Sequence, residues 1–188
     1  MAEYTLQTGR PADAASREAR EYRCYDLLDK LGVAYERIDH ERAETMEACA
    51  AVDEALGAAI CKNLFLCNRQ QTAFYLLLMP ADKPFKTKEL SSQINSSRLS
   101  FATAEHMLTY LDITPGSVSV LGLMNDHDNA VKLLIDEDLL SADEFGCHPC
   151  VNTSSLKLKI RDLLDVILPA VHHTPTTVTL GKEEGTYD

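Results

Sequence analysis

The chain has 188 residues, enough for one domain with a sizeable core. At 45% hydrophobic and 25% charged residues it has the balance of an ordinary soluble globular protein, and no apolar run approaches the roughly 20 residues of a membrane helix. Its net charge of −11 excludes a protein that coats nucleic acid by counterion release, though not one that captures a single strand end.

Residues 1–13 are polar, with Gly9, Arg10 and Pro11, and read as a flexible N-terminal arm. Ala14 to Leu31 reads as a helix whose Tyr22, Tyr25, Leu28 and Leu31 share a face, with Gly32 at C′. Val33 to His40 is a plausible strand, and alanine-rich Thr45 to Leu56 a helix stopped by Gly57. Ile60 to Cys67 reads as a core strand. Alternation sets Ile60, Lys62, Leu64 and Leu66 on one face and Cys61, Asn63, Phe65 and Cys67 on the other. An unpaired ammonium on an apolar strand is costly, so Lys62 calls for a partner, a cleft or a ligand anion, or else snorkels from the strand end to water.

Thr72 to Met79 completes a hairpin with that strand. Pro80 to Pro84 is a loop, Thr87 to Ile94 a short helix, Leu99 to Phe101 an extended piece, and Thr103 to Leu111 a capped helix. After the turn Thr114-Pro115-Gly116-Ser117, the segments Val118–Met124 and Ala130–Asp136 are expected to form a second hairpin. A helical turn at Asp138–Asp143 precedes Gly146-Cys147-His148-Pro149-Cys150-Val151-Asn152. A helix is expected from Ser154 to Leu168, ended by Pro169, then a strand from Thr176 to Leu180. Residues 181–188 are expected to be a disordered tail. Helices mixed with hairpins make the class α+β.

Six cysteines without secretory context read as reduced thiols, and Met1-Ala2-Glu3-Tyr4 lacks the features of a signal peptide, so a cytoplasmic location is expected. Cys147-x-x-Cys150 admits a redox pair, half a zinc site completed by Cys61, Cys67, His172 or His173, or two ordinary thiols around a functional His-Pro. Asp126-His127-Asp128 suits a turn better than a metal cluster, and His172-His173 a surface pair. Lys83, Lys86, Lys88 and Arg98 form one basic cluster, and Lys157, Lys159 and Arg161 a second; each is a solvated face or an anion contact. Serine-nucleophile, phosphate-loop and dinucleotide signatures do not occur.

Four segments in order resemble one family: Cys61-Lys62-Asn63-Leu64-Phe65-Leu66; Arg98-Leu99-Ser100-Phe101-Ala102; Thr114–Val118 running into Gly122-Leu123-Met124-Asn125-Asp126; and His148-Pro149 followed by Asn152. They resemble the free-standing relatives of the prolyl-tRNA synthetase editing domain, nearest the trans-editing Ala-tRNA(Pro) deacylases. The resemblance covers about residues 20–180. It implies a single mixed, largely antiparallel, barrel-like sheet flanked by helices over residues 14–180. It implies hydrolysis of the ester of mischarged tRNA(Pro), alanine being the error expected because a missing methylene gives the synthetase only about 1–3 kcal/mol of discrimination. By the same resemblance Lys62 and His148 are catalytic, while Asn63, Gly146, Pro149, Asn152, Gly122 and Ser100 bind substrate. Lys83, Lys86, Lys88 and Arg98 contact tRNA. No cofactor or metal is implied, and no DNA or membrane partner; the partners are the tRNA(Pro) acceptor end and prolyl-tRNA synthetase or an elongation factor as carrier. Two features depart from the family: Gly146-x-x-Pro149 replaces a Gly-x-x-x-Pro loop, and Cys147 and Cys150 flank the histidine. Serine or cysteine are the other small amino acids such a pocket would take. The rival readings are a non-catalytic tRNA- or amino-acid-binding module of the same fold and a Cys-x-x-Cys redox or zinc protein.

Overall fold

The computed structural model describes residues 3–181. Strand β1 (Gln7–Thr8) and a 3-10 turn (Ala14–Ser16) precede helix α1 (Ala19–Lys30), which buries Glu21, Cys24, Tyr25 and Leu28 along one stripe. Strand β2 (Glu36–Asp39) leads to α2 (Met46–Leu56), whose first turn is capped by the Thr45 hydroxyl accepting from Ala48 N–H and whose end is turned by Gly57 at φ +75°. Then come β3 (Lys62–Cys67), β4 (Phe74–Met79), α3 (Thr87–Gln93), β5 (Ser100–Phe101) and α4 (Ala104–Leu111). A 3-10 stretch (Val120–Asn125), β6 (Val131–Asp136), α5 (Glu137–Leu140), β7 (Glu144–Cys147) and β8 (Ser154–Lys159) follow. Helix α6 (Ile160–Asp162) continues through π-helical Leu163–Ile167 into α7 (Leu168–Ala170), and β9 (Thr176–Val178) is the last element among the described residues.

The α+β class stands, but the strands divide between two sheets rather than one, and they do not close a barrel. A four-stranded antiparallel sheet has the order β1-β2-β8-β7, and a five-stranded mixed sheet the order β5-β3-β4-β6-β9. In the second, β3 runs antiparallel to β4 and β5, whereas β4, β6 and β9 are parallel. The sheets meet at a parallel bridge between Ile60 and Gly146, with Cys61 N–H donating to Gly146 O and Gly146 N–H to Ala59 O. Between them lies the main core, where Phe65, Leu76, Leu78 and Ile135 meet Tyr25, Phe145, Leu156 and Leu158. A smaller core lies on the other face of the five-stranded sheet, where Leu66, Leu77 and Met79 pack against Leu90 and Leu99.

Three expectations are corrected. Val118–Met124 is not a hairpin strand: Val120, Leu121, Gly122 and Leu123 are all buried in the 3-10 stretch, and a short apolar run enclosed on every side carries no usable periodicity. Consequently β6 pairs with β4 in parallel instead of with its predecessor. The first six residues of the expected Ser154–Leu168 helix are strand β8; Leu156 and Leu158 alternate with Lys157 and Lys159, and only from Ile160 does the helical repeat through Leu163 and Ile167 take over. Within the expected N-terminal arm, Gln7–Thr8 adds an edge strand to β2 and Arg10 lies 2.6 Å from Asp26. The expected tail falls largely outside the described residues.

Candidate functional site

The turn joining β7 to β8 carries Cys147, His148, Pro149 and Cys150, the last in left-handed backbone at φ +60°. His148 Nδ1 lies 3.0 Å from the Ser154 carbonyl. A carbonyl only accepts, so Nδ1 carries the proton and Nε2 keeps its lone pair. Burial lowers the His148 pKa below the usual imidazole value; the Ser154 carbonyl opposes that and the neighbouring His40 adds to it. The ring is therefore neutral near pH 7, with a free basic nitrogen.

The turn is held from behind by charge. Ser154 Oγ donates to Asp39 Oδ1 at 2.6 Å and to Ile38 O at 3.3 Å. Burial alone would raise the Asp39 pKa, but hydrogen bonds from Arg17, Arg37 and Ser154 outweigh it and hold the carboxyl far below its usual range. Arg17 makes two bonds to Asp39, each 2.9 Å, and also reaches Glu21 at 2.8 Å. Arg37, only 2% exposed, pairs with Asp39 and donates to Gln7 and to Gly9 O. His40, at the end of β2, has Nε2 2.8 Å from Ser155 Oγ and its ring centroid 6.4 Å from that of His148.

Both imidazoles open on a cavity of ≈ 580 Å³ whose wall also includes Arg42, Asp53, Ile60, Gly116 and Asn152. That volume is in the range of small-molecule sites. Gly116 sits at φ +88°, and a Cβ there would come 3.6 Å from Asn152 Nδ2 and 3.8 Å from Arg42 Nη2, so the Thr114–Ser117 turn is packed against the His148 turn. Asp53 accepts from Ile60 N–H at 3.3 Å, and burial raises its pKa. His40, Arg42, Asp53 and Gly116 were not among the expected site residues. Gly116 stood in a segment that carries the resemblance, but nothing in the local pattern of the other three points to a cleft.

Of the expected residues, His148 and Asn152 share this wall, and Pro149 is buried beneath the turn. Lys62 and Asn63 take opposite faces of β3, as alternation requires. The Lys62 ammonium donates to the Lys83 carbonyl and is not part of the wall, although Ile60, two residues earlier on the same face, is. Asn63 turns toward the main core. Its Nδ2 donates to Cys61 O at 3.0 Å, and its Oδ1 is buried with no partner among the described residues. Gly146 and Gly122 are packing glycines: a Cβ on Gly146 would meet Ala59 O and Ile60 Cα at 3.0 Å, and one on Gly122 would meet Ile113 Cδ1 at 2.6 Å. Ser100 is exposed on edge strand β5, its Oγ 3.7 Å from Cys67 Sγ. Lys83 is neutralised by Asp136 and Asp138, both 2.7 Å away, Lys86 is an exposed residue before α3, and Lys88 and Arg98 border a separate cavity.

Two further expectations meet the structure here. His173 is not a surface residue: it is 6% exposed, with Nε2 2.9 Å from Asp126 Oδ2. Asp126 also accepts from Ala130 and Val131 N–H, so it serves as a turn cap and a buried partner. Cys147 and Cys150 are buried beside Cys24 and Cys61, with Cys24 Sγ 3.5 Å from Cys150 Sγ. Burial raises the pKa of Cys147 and Cys24 and pushes that of Cys61 up to about 12, opposite to what a reactive thiolate requires. Among the described residues, no group of three His, Cys, Asp or Glu side chains is placed to hold a metal ion, and no helix is long and apolar enough to cross a membrane.

Residues 40–166 match the model of the aminoacyl-tRNA editing domain family. The chain is similar to the prolyl-tRNA editing protein ProX of Acetoanaerobium sticklandii, 31% identical over 74% of this chain and 85% of that protein. It is also similar to prolyl-tRNA synthetase associated domain-containing protein 1 of Danio rerio, 27% identical over 82% of this chain and 84% of that one. In fold it is similar to the crystal structure of a candidate trans-editing enzyme for prolyl-tRNA synthetase, with a TM-score of 0.64 at 16% identity, covering 88% of this chain and 99% of that one. The chain belongs to the aminoacyl-tRNA editing domain family.

Proposed function

We propose that this member of the editing-domain family is a trans-acting deacylase that hydrolyses the ester of mischarged tRNA(Pro), with alanine as the amino acid removed. The observation that carries this reading is the neutral His148 on the wall of a cleft of ≈ 580 Å³, its Nδ1 committed to Ser154 O and its Nε2 unused.

Ester hydrolysis needs a base for water, a donor for the carbonyl oxygen and room for the terminal ribose. His148 Nε2 takes a proton from a water as its oxygen attacks the carbonyl carbon, and the imidazolium returns that proton to the departing ribose oxygen. The Asn152 amide, on the same wall, donates to the developing oxyanion. Lys62 exchanges its bond to the Lys83 carbonyl for the substrate's terminal phosphate or ribose, so its part is to hold charge rather than to remove a proton. Asn63, Pro149, Gly146 and Gly122 support these groups by position, as does Ser100 on the neighbouring edge. The acceptor end of tRNA(Pro) is the partner, delivered by prolyl-tRNA synthetase or an elongation factor.

A second reading, a binding module of the same fold without turnover, draws on one observation: the Lys62 ammonium is taken up by a backbone carbonyl and does not border the His148 cleft. One experiment separates the two. Purified protein is offered Ala-tRNA(Pro), Ser-tRNA(Pro) and Pro-tRNA(Pro), with His148→Ala and Lys62→Ala beside it. Release of alanine with Pro-tRNA(Pro) spared, and a loss of roughly 10²–10⁴-fold in His148→Ala, is expected. Indiscriminate release, or full activity in that variant, sinks the hydrolytic reading; binding of the tRNA with no release establishes the second.

A further inference from the structure

The four basic residues expected as one RNA contact divide in the fold. Lys83 is neutralised from within by Asp136, Asp138 and the Leu180 carbonyl, 2.8 Å away. Lys88 and Arg98 instead border a cavity of ≈ 510 Å³ together with Thr87, Ser91, Ser92 and Ser96. No carboxylate lines it, and neither cation has an ion pair among the described residues. In a chain of 29 acidic and 18 basic residues, a cavity with two cations and no counter-charge is selective for an anion. The Ser96 hydroxyl is shielded from solvent and has no hydrogen-bond partner among the described residues, so an incoming oxygen there satisfies a bare group.

Close in the chain to this cavity is an aromatic ring in the open. Phe101, three residues after Arg98, is 62% exposed, and its ring is braced edge-to-face by Phe85 at 6.3 Å and 63°. The register pairs Phe101 with Leu66, and Leu66 shares its face of β3 with Leu64 and Lys62. Ring and ammonium therefore lie toward one face of the five-stranded sheet, about 13 Å apart, the face on which Leu66, Leu90 and Leu99 form the smaller core. An exposed ring with cations beside it is how unpaired nucleic acid is held: the ring stacks a base and the cations take the adjoining phosphate.

We propose that this cavity and the exposed Phe101 ring together form a short track for single-stranded RNA. Phe101 stacks a base of the unpaired 3′ end, and Lys88, Arg98 and Ser96 hold a neighbouring backbone phosphate. The proposal rests on the deacylase reading and names how the same substrate is gripped outside the His148 cleft.

The test is fluorescence anisotropy with a short labelled single-stranded RNA ending in CCA, with a blunt RNA duplex and inorganic phosphate as competitors. Phe101→Ala weakens binding roughly ten- to hundredfold, and Phe101→Trp restores it, because every base has a face to stack. The exposed ring leaves the thermal midpoint unchanged when removed. Lys88→Gln with Arg98→Gln lowers the slope of log affinity against log salt by about 0.7 for each phosphate no longer neutralised. Wild-type affinity and slope in these variants overturn the track, as does inorganic phosphate that binds the cavity without displacing the RNA. The two readings fail separately. Loss of RNA binding in these variants with no hydrolysis by the unaltered protein overturns the deacylase and keeps the track, while hydrolysis with unaltered binding does the reverse.

Discussion

The four-stranded sheet holds His148 on a scaffold of buried charge, whereas the five-stranded sheet holds Lys62 on a scaffold of aliphatic side chains. Behind the His148 turn, Ser154, Asp39, Arg17 and Arg37 form a connected set in which each group has a named partner. Around Lys62 the strand neighbours are Met79, Leu64 and Leu77, and the ammonium's hydrogen bond is to one loop carbonyl. The difference is one of freedom. A histidine whose tautomer and ring plane are fixed by two layers of hydrogen bonds is pre-organised to move one proton. A lysine on a greasy wall with a single exchangeable bond is suited to swing between the loop and an arriving anion.

Removing Asp39 is the strongest way to break that comparison. Asp39→Ala leaves the Arg37 guanidinium buried without its carboxylate and takes the acceptor from Ser154, so the fold should lose about 3 kcal/mol, a figure reduced from the fully buried case because Asp39 is partly exposed. Urea unfolding measures it; a loss under about 1 kcal/mol would mean that the charges merely decorate the sheet. The sign with pH follows from the depressed carboxyl. Its stabilisation is complete above the free carboxylate's pKa of about 4 and is lost as pH falls through the lower folded value.

Gly146→Ala tests the seam between the sheets and comes next in size. The added carbon would press on Ala59 O and Ile60 Cα at 3.0 Å, both backbone atoms, and the strain should cost about 1–3 kcal/mol. Because Ile60 borders the cleft, the same change should raise KM for the deacylation substrate more than the Lys88 and Arg98 substitutions disturb kcat. An unchanged urea midpoint in Gly146→Ala would show that the seam has slack.

What the sequence disclosed and what it hid follow from the range of the interactions. Alternation placed Lys62 and Asn63 on opposite faces of β3 correctly, since a two-residue period is local. Thr45 and Gly57 bracketed α2 for the same reason, each acting within one turn of chain. The parallel pairing of β4 with β6 depends on the whole intervening segment, and no local signal announces it. Resemblance supplied His148 and Asn152. It did not supply His40, Arg42 or Asp53, which reach the cleft from the segment after β2 and from α2 by tertiary packing alone. His173 misled because its partner, Asp126, lies 47 residues away in a turn whose own chemistry already accounted for an aspartate.

The smallest effect concerns the proton. Burial lowers the His148 pKa, so if His148 is the base of the proposed deacylase, kcat/KM should rise with pH through a value below the usual imidazole range and then level off. The stability that His148 contributes has the same sense, present above the free imidazole's pKa and lost as pH falls through the lowered folded one. His40 pushes in the same direction as burial, its ring centroid 6.4 Å away, so His40→Gln should move the acid limb up. Arg98→Gln, on the far sheet, should lower affinity for RNA and leave that limb where it is. If instead the limb moves with Arg98 and not with His40, the proton is handled from the aliphatic sheet. The division of labour between the two sheets is then the reverse of the one argued above.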